Sequence, residues 1–212
     1  LAGLKRGSLS LAASQTVGNY WLPQLMHRYR SRYPGITLDL KIGNTEQVAG
    51  WIQDGSADLG FIEGAIDEPT LSMRAIAEDE LALVVGASHP WAAKRAPKRD
   101  EMKAASWVAR EKGSGTRHVF ETALAELGLA AGDINIVLEL PSNEAVRGAV
   151  IAGAGATVMS RLVAENTLKS GALAALKVPL PPRSFFLLRH KERHVTQAER
   201  ELENMIGKPN RA

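Results

Sequence analysis

Ser8-Leu9-Ser10-Leu11-Ala12-Ala13 alternates small polar and apolar residues, which is the two-residue period of a strand. A turn-prone stretch follows, Ser14-Gln15-Thr16-Val17-Gly18-Asn19. Leu22, Leu25, Met26, Tyr29 and Tyr33 then recur at i, i+3, i+4, i+7 and i+11, predicting one apolar face of a helix that Pro34-Gly35 stops. Pro23 falls in the first turn of that helix, where its missing N–H costs little. Alternation returns at Ile36, Leu38, Leu40 and Ile42. Asn44 or Thr45 can cap a helix carrying Val48, Trp51 and Ile52, which ends near Gly55. Residues 57–63 form a third strand. The order β-α-β-α-β argues for a mostly parallel sheet with covering helices.

The plan then repeats. Ser106-Trp107-Val108-Ala109 is a short strand, and Gly113-Ser114-Gly115-Thr116-Arg117 is a glycine-rich loop. Phe120, Ala123, Leu124 and Leu127 have helical spacing up to Gly128. Ile134, Ile136, Leu138 and Leu140 alternate. Ser142 or Asn143 caps a helix with Val146 and Val150, and residues 156–159 close the series. Corresponding positions lie 100 apart (Ser14, Ser114) or 98 apart (Ile36, Ile134). This predicts an α/β protein of two Rossmann-like lobes. Between the repeats, Leu81-Ala82-Leu83-Val84-Val85 is wholly apolar and reads as a buried strand. Residues 184–188 form a late strand, and Thr196 with Glu199 has capping-box spacing ahead of a last helix. The chain is expected to cross between lobes near residues 81–86 and return near 178–184, a two-crossing hinge. Lobe I then comprises 1–83, with residual linker at 1–6, and 180–212; lobe II comprises 84–179.

Composition narrows the chemistry. There is no cysteine among the 212 residues, which removes disulfides and thiolate catalysis. Lys+Arg exceeds Asp+Glu only by 26 − 23 = 3, too little for a nucleic-acid surface. The basic runs at 28–32 and 94–99 read as solvated faces. No apolar run is long enough for a membrane span. The five histidines lack metal-ligand spacing with a third partner, so no metal or cofactor is expected. A hydrolase would need a nucleophile, a base and an orienting group, and neither a Gly-x-Ser-x-Gly elbow nor a His-Glu-x-x-His helix occurs. The chain is therefore expected not to be an enzyme.

Each lobe does have one strand-to-helix loop with small hydroxyl residues: Ser14-Gln15-Thr16 and Ser114-Gly115-Thr116. Ligands bind such loops at the carboxyl ends of open α/β sheets, and unpaired N–H groups at a helix start favour anions. Arg117 could add a bidentate contact to an anion. Each hydroxyl could instead be a plain helix cap. Glu63, at the end of a strand, is the best-placed carboxylate, or else a solvated loop residue.

Gly7-Ser8-Leu9-Ser10-Leu11-Ala12-Ala13-Ser14 resembles the start of the effector-binding domain of LysR-type transcriptional regulators. Leu22-Pro23, Tyr29 with Tyr33-Pro34-Gly35-Ile36, and Gly55-Ser56-Ala57-Asp58-Leu59-Gly60 resemble it further. So do Leu83-Val84-Val85…His89-Pro90 and Gly148…Gly153-Ala154-Gly155. The resemblance runs from Gly7 to Ile206. It implies a fold like the type 2 periplasmic binding proteins, with an effector cleft between the lobes. It also implies a cytoplasmic full-length regulator with an N-terminal winged helix-turn-helix, assembled as dimers or tetramers on DNA. The effector positions it implies are Ser14, Thr16, Glu63, Thr116 and Ser142 or Asn143; Gln15, Ser114 and Arg117 join them as neighbours in the same loops. The expected effector is a small anionic metabolite. Glu63 departs from the hydroxyl an anion binder would prefer, which suggests an effector with a donor group as well. A periplasmic solute-binding protein or a transferase on the same fold are the alternatives.

Overall fold

The computed structural model describes residues 6–93 and 96–207. Most of the expected linker, and Lys94 and Arg95 of the second basic run, lie outside the described residues. The chain divides into two compact units. Unit 1 runs to Glu78 and resumes at Ser184; unit 2 is Asp79–Arg183.

Unit 1 opens with β1 (Gly7–Ser14), a π-helical segment (Val17–Trp21) and α1 (Leu22–Arg32). It continues through β2 (Ile36–Gly43), α2 (Thr45–Asp54), β3 (Leu59–Glu63) and β4 (Leu71–Asp79). Its sheet order is β2-β1-β3-β10-β4, where β10 is Arg183–His190. β1 pairs in parallel with both β2 and β3, as strands joined by covering helices must. β10 enters from the second crossing rather than over a helix of this unit, and it lies antiparallel to β3. Asn44 and Gln47 form a reciprocal capping box that starts α2. Gly60 lets α2 lie close on β3, since a Cβ there would meet Ile52 at 2.9 Å. α7 (Gln197–Ile206) starts at the predicted Thr196–Glu199 capping box. It is tied to α1: the Tyr29 hydroxyl donates to the Ala198 carbonyl at 3.0 Å, and that of Tyr33 donates to Glu201 at 2.8 Å.

Unit 2 contains β5 (Leu81–Gly86), α3 (Arg99–Ala104), β6 (Ser106–Arg110) and α4 (Gly115–Glu126). Then come β7 (Asn135–Leu140), α5 (Asn143–Ile151), β8 (Ala156–Ser160), α6 (Arg161–Lys169) and β9 (Leu173–Ala175). The sheet order is β7-β6-β8-β5-β9. β6 is parallel to β7 and β8, whereas β5 is antiparallel to both its neighbours. All six residues of β5 are buried, which accounts for its unbroken apolar sequence. Gly86 ends β5 under α5, where a Cβ would lie 2.6 Å from the Val150 carbonyl. The core of this unit is aromatic: Trp107 meets Phe120 and Trp91 edge-on, at 5.7 and 6.2 Å between ring centres.

β4, α3, α6 and β9 were not predicted. β4 buries its positions irregularly instead of alternating, and α3 and β9 are each six residues or shorter, below the length at which a period shows.

Candidate functional site

In unit 1, β1 carries Ser14 to the carboxyl end of the sheet, and helix begins at once with Gln15. The helix widens into π geometry over Val17–Trp21, with the Leu22 N–H bonded to Val17 O. Pro23 gives a physical reason: it has no N–H to return to the preceding turn and its ring crowds that turn's carbonyl. Such π segments concentrate at functional sites. Ser14 and Thr16 are buried. Ser14 Oγ donates to Glu63 Oε2, and Thr16 makes no side-chain cap. Glu63, the last residue of β3, is 1% exposed, so the solvated-loop reading does not hold. Its backbone carbonyl accepts from the Thr45 hydroxyl at 3.4 Å, at the first residue of α2. Gln15 is half-buried beside them.

In unit 2, Ser114 caps α4 and accepts the Arg117 N–H at 3.4 Å. Gly113 precedes it at φ 84°, a left-handed conformation that favours glycine. Ser142 caps α5, accepting the Ala145 N–H at 3.0 Å, so Asn143 becomes the first helical residue and is buried. Asn143 Oδ1 accepts from Arg110 Nη1 at 2.8 Å. Arg110 ends β6, is 3% exposed, and also pairs with Glu111 at 2.7 Å. Thr116 is buried and accepts from Arg183 Nη1 at 3.3 Å. Arg183 pairs with Asp79 at 2.7 Å, and Ser160 donates to the other Asp79 oxygen at 2.7 Å. Both partners of this pair are buried, and they are the last and first residues of unit 2 at the two crossings. Thr116, Asn143, Arg110, Thr157 and Phe120 line one internal cavity of about 10 Å³. That is room for about one water with polar partners.

Thr116 and Asn143, both predicted, are thus brought together around Arg110, which was not. Arg117 is placed differently from the expectation. Its Nε donates to Glu121 at 2.6 Å, and its Nη1 to the Arg110 carbonyl at 2.7 Å and to Glu139 at 2.9 Å. Burial opposes its charge, but the bonds from Glu121 and Glu139 outweigh this and raise its pKa. Arg117 braces α4 against β6 and β7 and is not aimed at the cavity. The one local sign of Arg110 was a charge closing an otherwise apolar strand, Ser106-Trp107-Val108-Ala109-Arg110. Asp79 and Arg183 had no local sign, being 104 residues apart. Among the described residues, no cluster of His, Asp and Glu could hold a metal ion.

The pattern of LysR substrate binding domains matches residues 2–208. The chain belongs to that family. Over 197 residues it is 34% identical to the uncharacterized HTH-type transcriptional regulator YeiE of Escherichia coli K12, covering 92% of this chain and 66% of that protein. The chain therefore spans just under two thirds of that relative's length. It superposes on the Synechocystis PCC6803 CcmR regulatory domain, solved in complex with 2-PG, with TM-score 0.81 and 26% identity. That match covers 96% of this chain and all of the other. The effector binding domain of QuiR, solved in complex with shikimate, gives TM-score 0.83 over 95% of each chain, and at 20% identity it shows the fold. The chain is a LysR-type effector-binding domain with a periplasmic-binding-protein type 2 fold, which sets aside the solute-binding alternative. The relatives are transcriptional regulators, and no helix among the described residues is long and apolar enough to cross a membrane.

Proposed function

We propose that this domain senses a small anionic metabolite for a DNA-binding regulator. The observation that carries the reading is the gathering of Thr116, Asn143 and the buried Arg110 guanidinium where β6 hands over to α4 and α5 begins. Hydroxyl, amide and guanidinium groups deprived of water form strong charge-assisted bonds to an acid. Ser14, Gln15, Thr16 and Glu63 are the candidate effector contacts of unit 1, and Ser114 and Ser142 hold the unit 2 helix starts in place. Occupancy shifts an existing equilibrium, and a coupling of about 1–3 kcal/mol is enough to alter DNA engagement. DNA is contacted through a winged helix-turn-helix of the full-length protein, in a cytoplasmic homodimer or homotetramer. The domain performs no chemical transformation.

The test is a metabolite screen by thermal shift, followed by calorimetry on Thr116→Ala and Asn143→Ala. Small carboxylates or other acids should stabilise the domain, and both variants, somewhat less stable because each deprives a buried guanidinium of an acceptor but still folded by circular dichroism, should bind them more weakly. Full affinity in both variants, or hits confined to cations and neutral compounds, would refute the proposal.

A further inference from the structure

Among the described residues of unit 2, each buried arginine already has a carboxylate. Arg110 has Glu111, Arg117 has Glu121 and Glu139, and Arg183 has Asp79. A second acid at any of them would repel the first where screening by water is weak, so an incoming acid needs one carboxylate to give way. Asp79 is 4% exposed and also accepts from Ser160, so it is held from two sides. Glu121 and Glu139 are exposed, but their partner Arg117 does not line the cavity. Glu111 meets both conditions: Arg110 lines the cavity, and the Glu111 side chain is 26% exposed against 2% for that of Arg110.

The contact itself is that of a bound acid. Glu111 Oε2 accepts from Arg110 Nε at 2.7 Å, and Oε1 accepts from Nη2 at 2.8 Å. Two such parallel bonds are how an arginine grips a carboxylate, sulfate or phosphate. Nη1 donates to Asn143 instead, at 2.8 Å. Successive residues of a strand point to opposite faces, so neighbours rarely pair in this way. Here β6 ends at Arg110 and the chain turns: the Ser114 N–H donates to the Glu111 carbonyl at 3.3 Å, with Gly113 at φ 84° in the third position. The turn folds Glu111 back onto the edge of Arg110 that a ligand's acid would take.

We infer that Glu111 is a specificity-determining residue of the unit 2 site, a carboxylate that the effector's acid must displace from Arg110. An acid with two oxygens on one centre replaces both bonds and the charge while Glu111 moves into water. A neutral group cannot replace the charge, and a single-atom anion cannot replace both bonds, so Glu111 stays. This rests on the reading that the effector's acid is taken at Arg110.

Sodium sulfate, titrated by calorimetry at an ionic strength held constant with sodium chloride, reads the competition in this chain, in Glu111→Gln and in Glu121→Gln. Each variant removes one negative charge from a unit 2 arginine pair, but only the first frees Arg110. Glu111→Gln should bind sulfate about tenfold more tightly or better than the parent, as expected for one charged bond no longer contested. Glu121→Gln should match the parent. Glu111→Ala is titrated alongside and should show the same gain, so that loss of fold in the glutamine variant, seen by circular dichroism, leaves the comparison standing. No gain in the Glu111 variants, including no heat in any titration, would overturn the inference. An equal gain in Glu121→Gln would do the same, as would unfolding of both Glu111 variants, which would mark a carboxylate the turn cannot release. An acid that binds the parent through Thr116 and Asn143, with no gain in Glu111→Gln, sinks this inference alone. A sulfate gain with no metabolite hit sinks the sensing proposal alone.

Discussion

The two strand-to-helix turns share a plan and differ in charge. Each ends a parallel strand, opens a helix and buries hydroxyls: Ser14 and Thr16 in unit 1, Ser114 and Thr116 in unit 2. In unit 1 the group beneath the hydroxyls is the acid Glu63; in unit 2 it is a set of arginines whose charges are balanced by Asp79, Glu111, Glu121 and Glu139. The lesson is that backbone geometry places such a turn, while the buried charge behind it sets the turn's electrostatic character. A helix start attracts anions only when no residue of the protein already supplies one.

The largest effect on this comparison should come from Asp79→Ala. It leaves the Arg183 guanidinium buried without its carboxylate, and unit 2 should lose about 3–5 kcal/mol. Urea unfolding followed by the tryptophans of that unit, Trp91 and Trp107, reads the loss. The paired change Asp79→Asn with Arg183→Met should recover most of it, and a double variant no better than the single would show that the pair is not the cause. Next, Arg110→Met removes a charged partner of Asn143, and affinity for an acidic effector should fall by about 1.5–3 kcal/mol, the range for a bond to a charged group. Calorimetry with the strongest acid from the thermal-shift screen checks it. Undiminished binding would place the acid away from Arg110.

Ser14→Ala sharpens the unit 1 side. It deprives the buried Glu63 carboxylate of a donor and should cost about 1–3 kcal/mol, seen as a lower Tm. The smallest effect is alkaline. Burial, aided by the nearby charges of Tyr33 and Glu201, pushes the Tyr29 phenol up to about 12. The folded state therefore prefers the protonated phenol. That contribution is intact below the ordinary value near 10 and is lost as pH rises from there to about 12. Tm should fall across that window and fall less in Tyr29→Phe. An identical decline in the variant would assign the alkaline loss to other groups.

Much of the fold could be read locally. The alternation through Leu9 and Leu11 marked β1, the stripe Leu22, Leu25, Tyr29 marked α1, and Thr196 with Glu199 marked the start of α7. These succeed because backbone geometry fixes side-chain direction within a few residues. The site was only partly legible. Ser14, Thr116 and Asn143 stand at strand-to-helix turns, which a sequence shows. Arg117 looked like a ligand group because it follows the glycine loop, yet Glu139, twenty-two residues on, helps to hold it.

The sequence by itself determined the repeated order of the main strands and helices, the family, and the positions of the strand-to-helix turns. Tertiary structure alone decided the charge behind each turn. It placed Glu63 under Ser14, forty-nine residues away, and joined Arg183 to Asp79 across the two crossings. The physical reason is that a periodic pattern is written in neighbouring residues, whereas the loss of water around a charge, and the partner that compensates it, depend on segments the fold brings together from far along the chain.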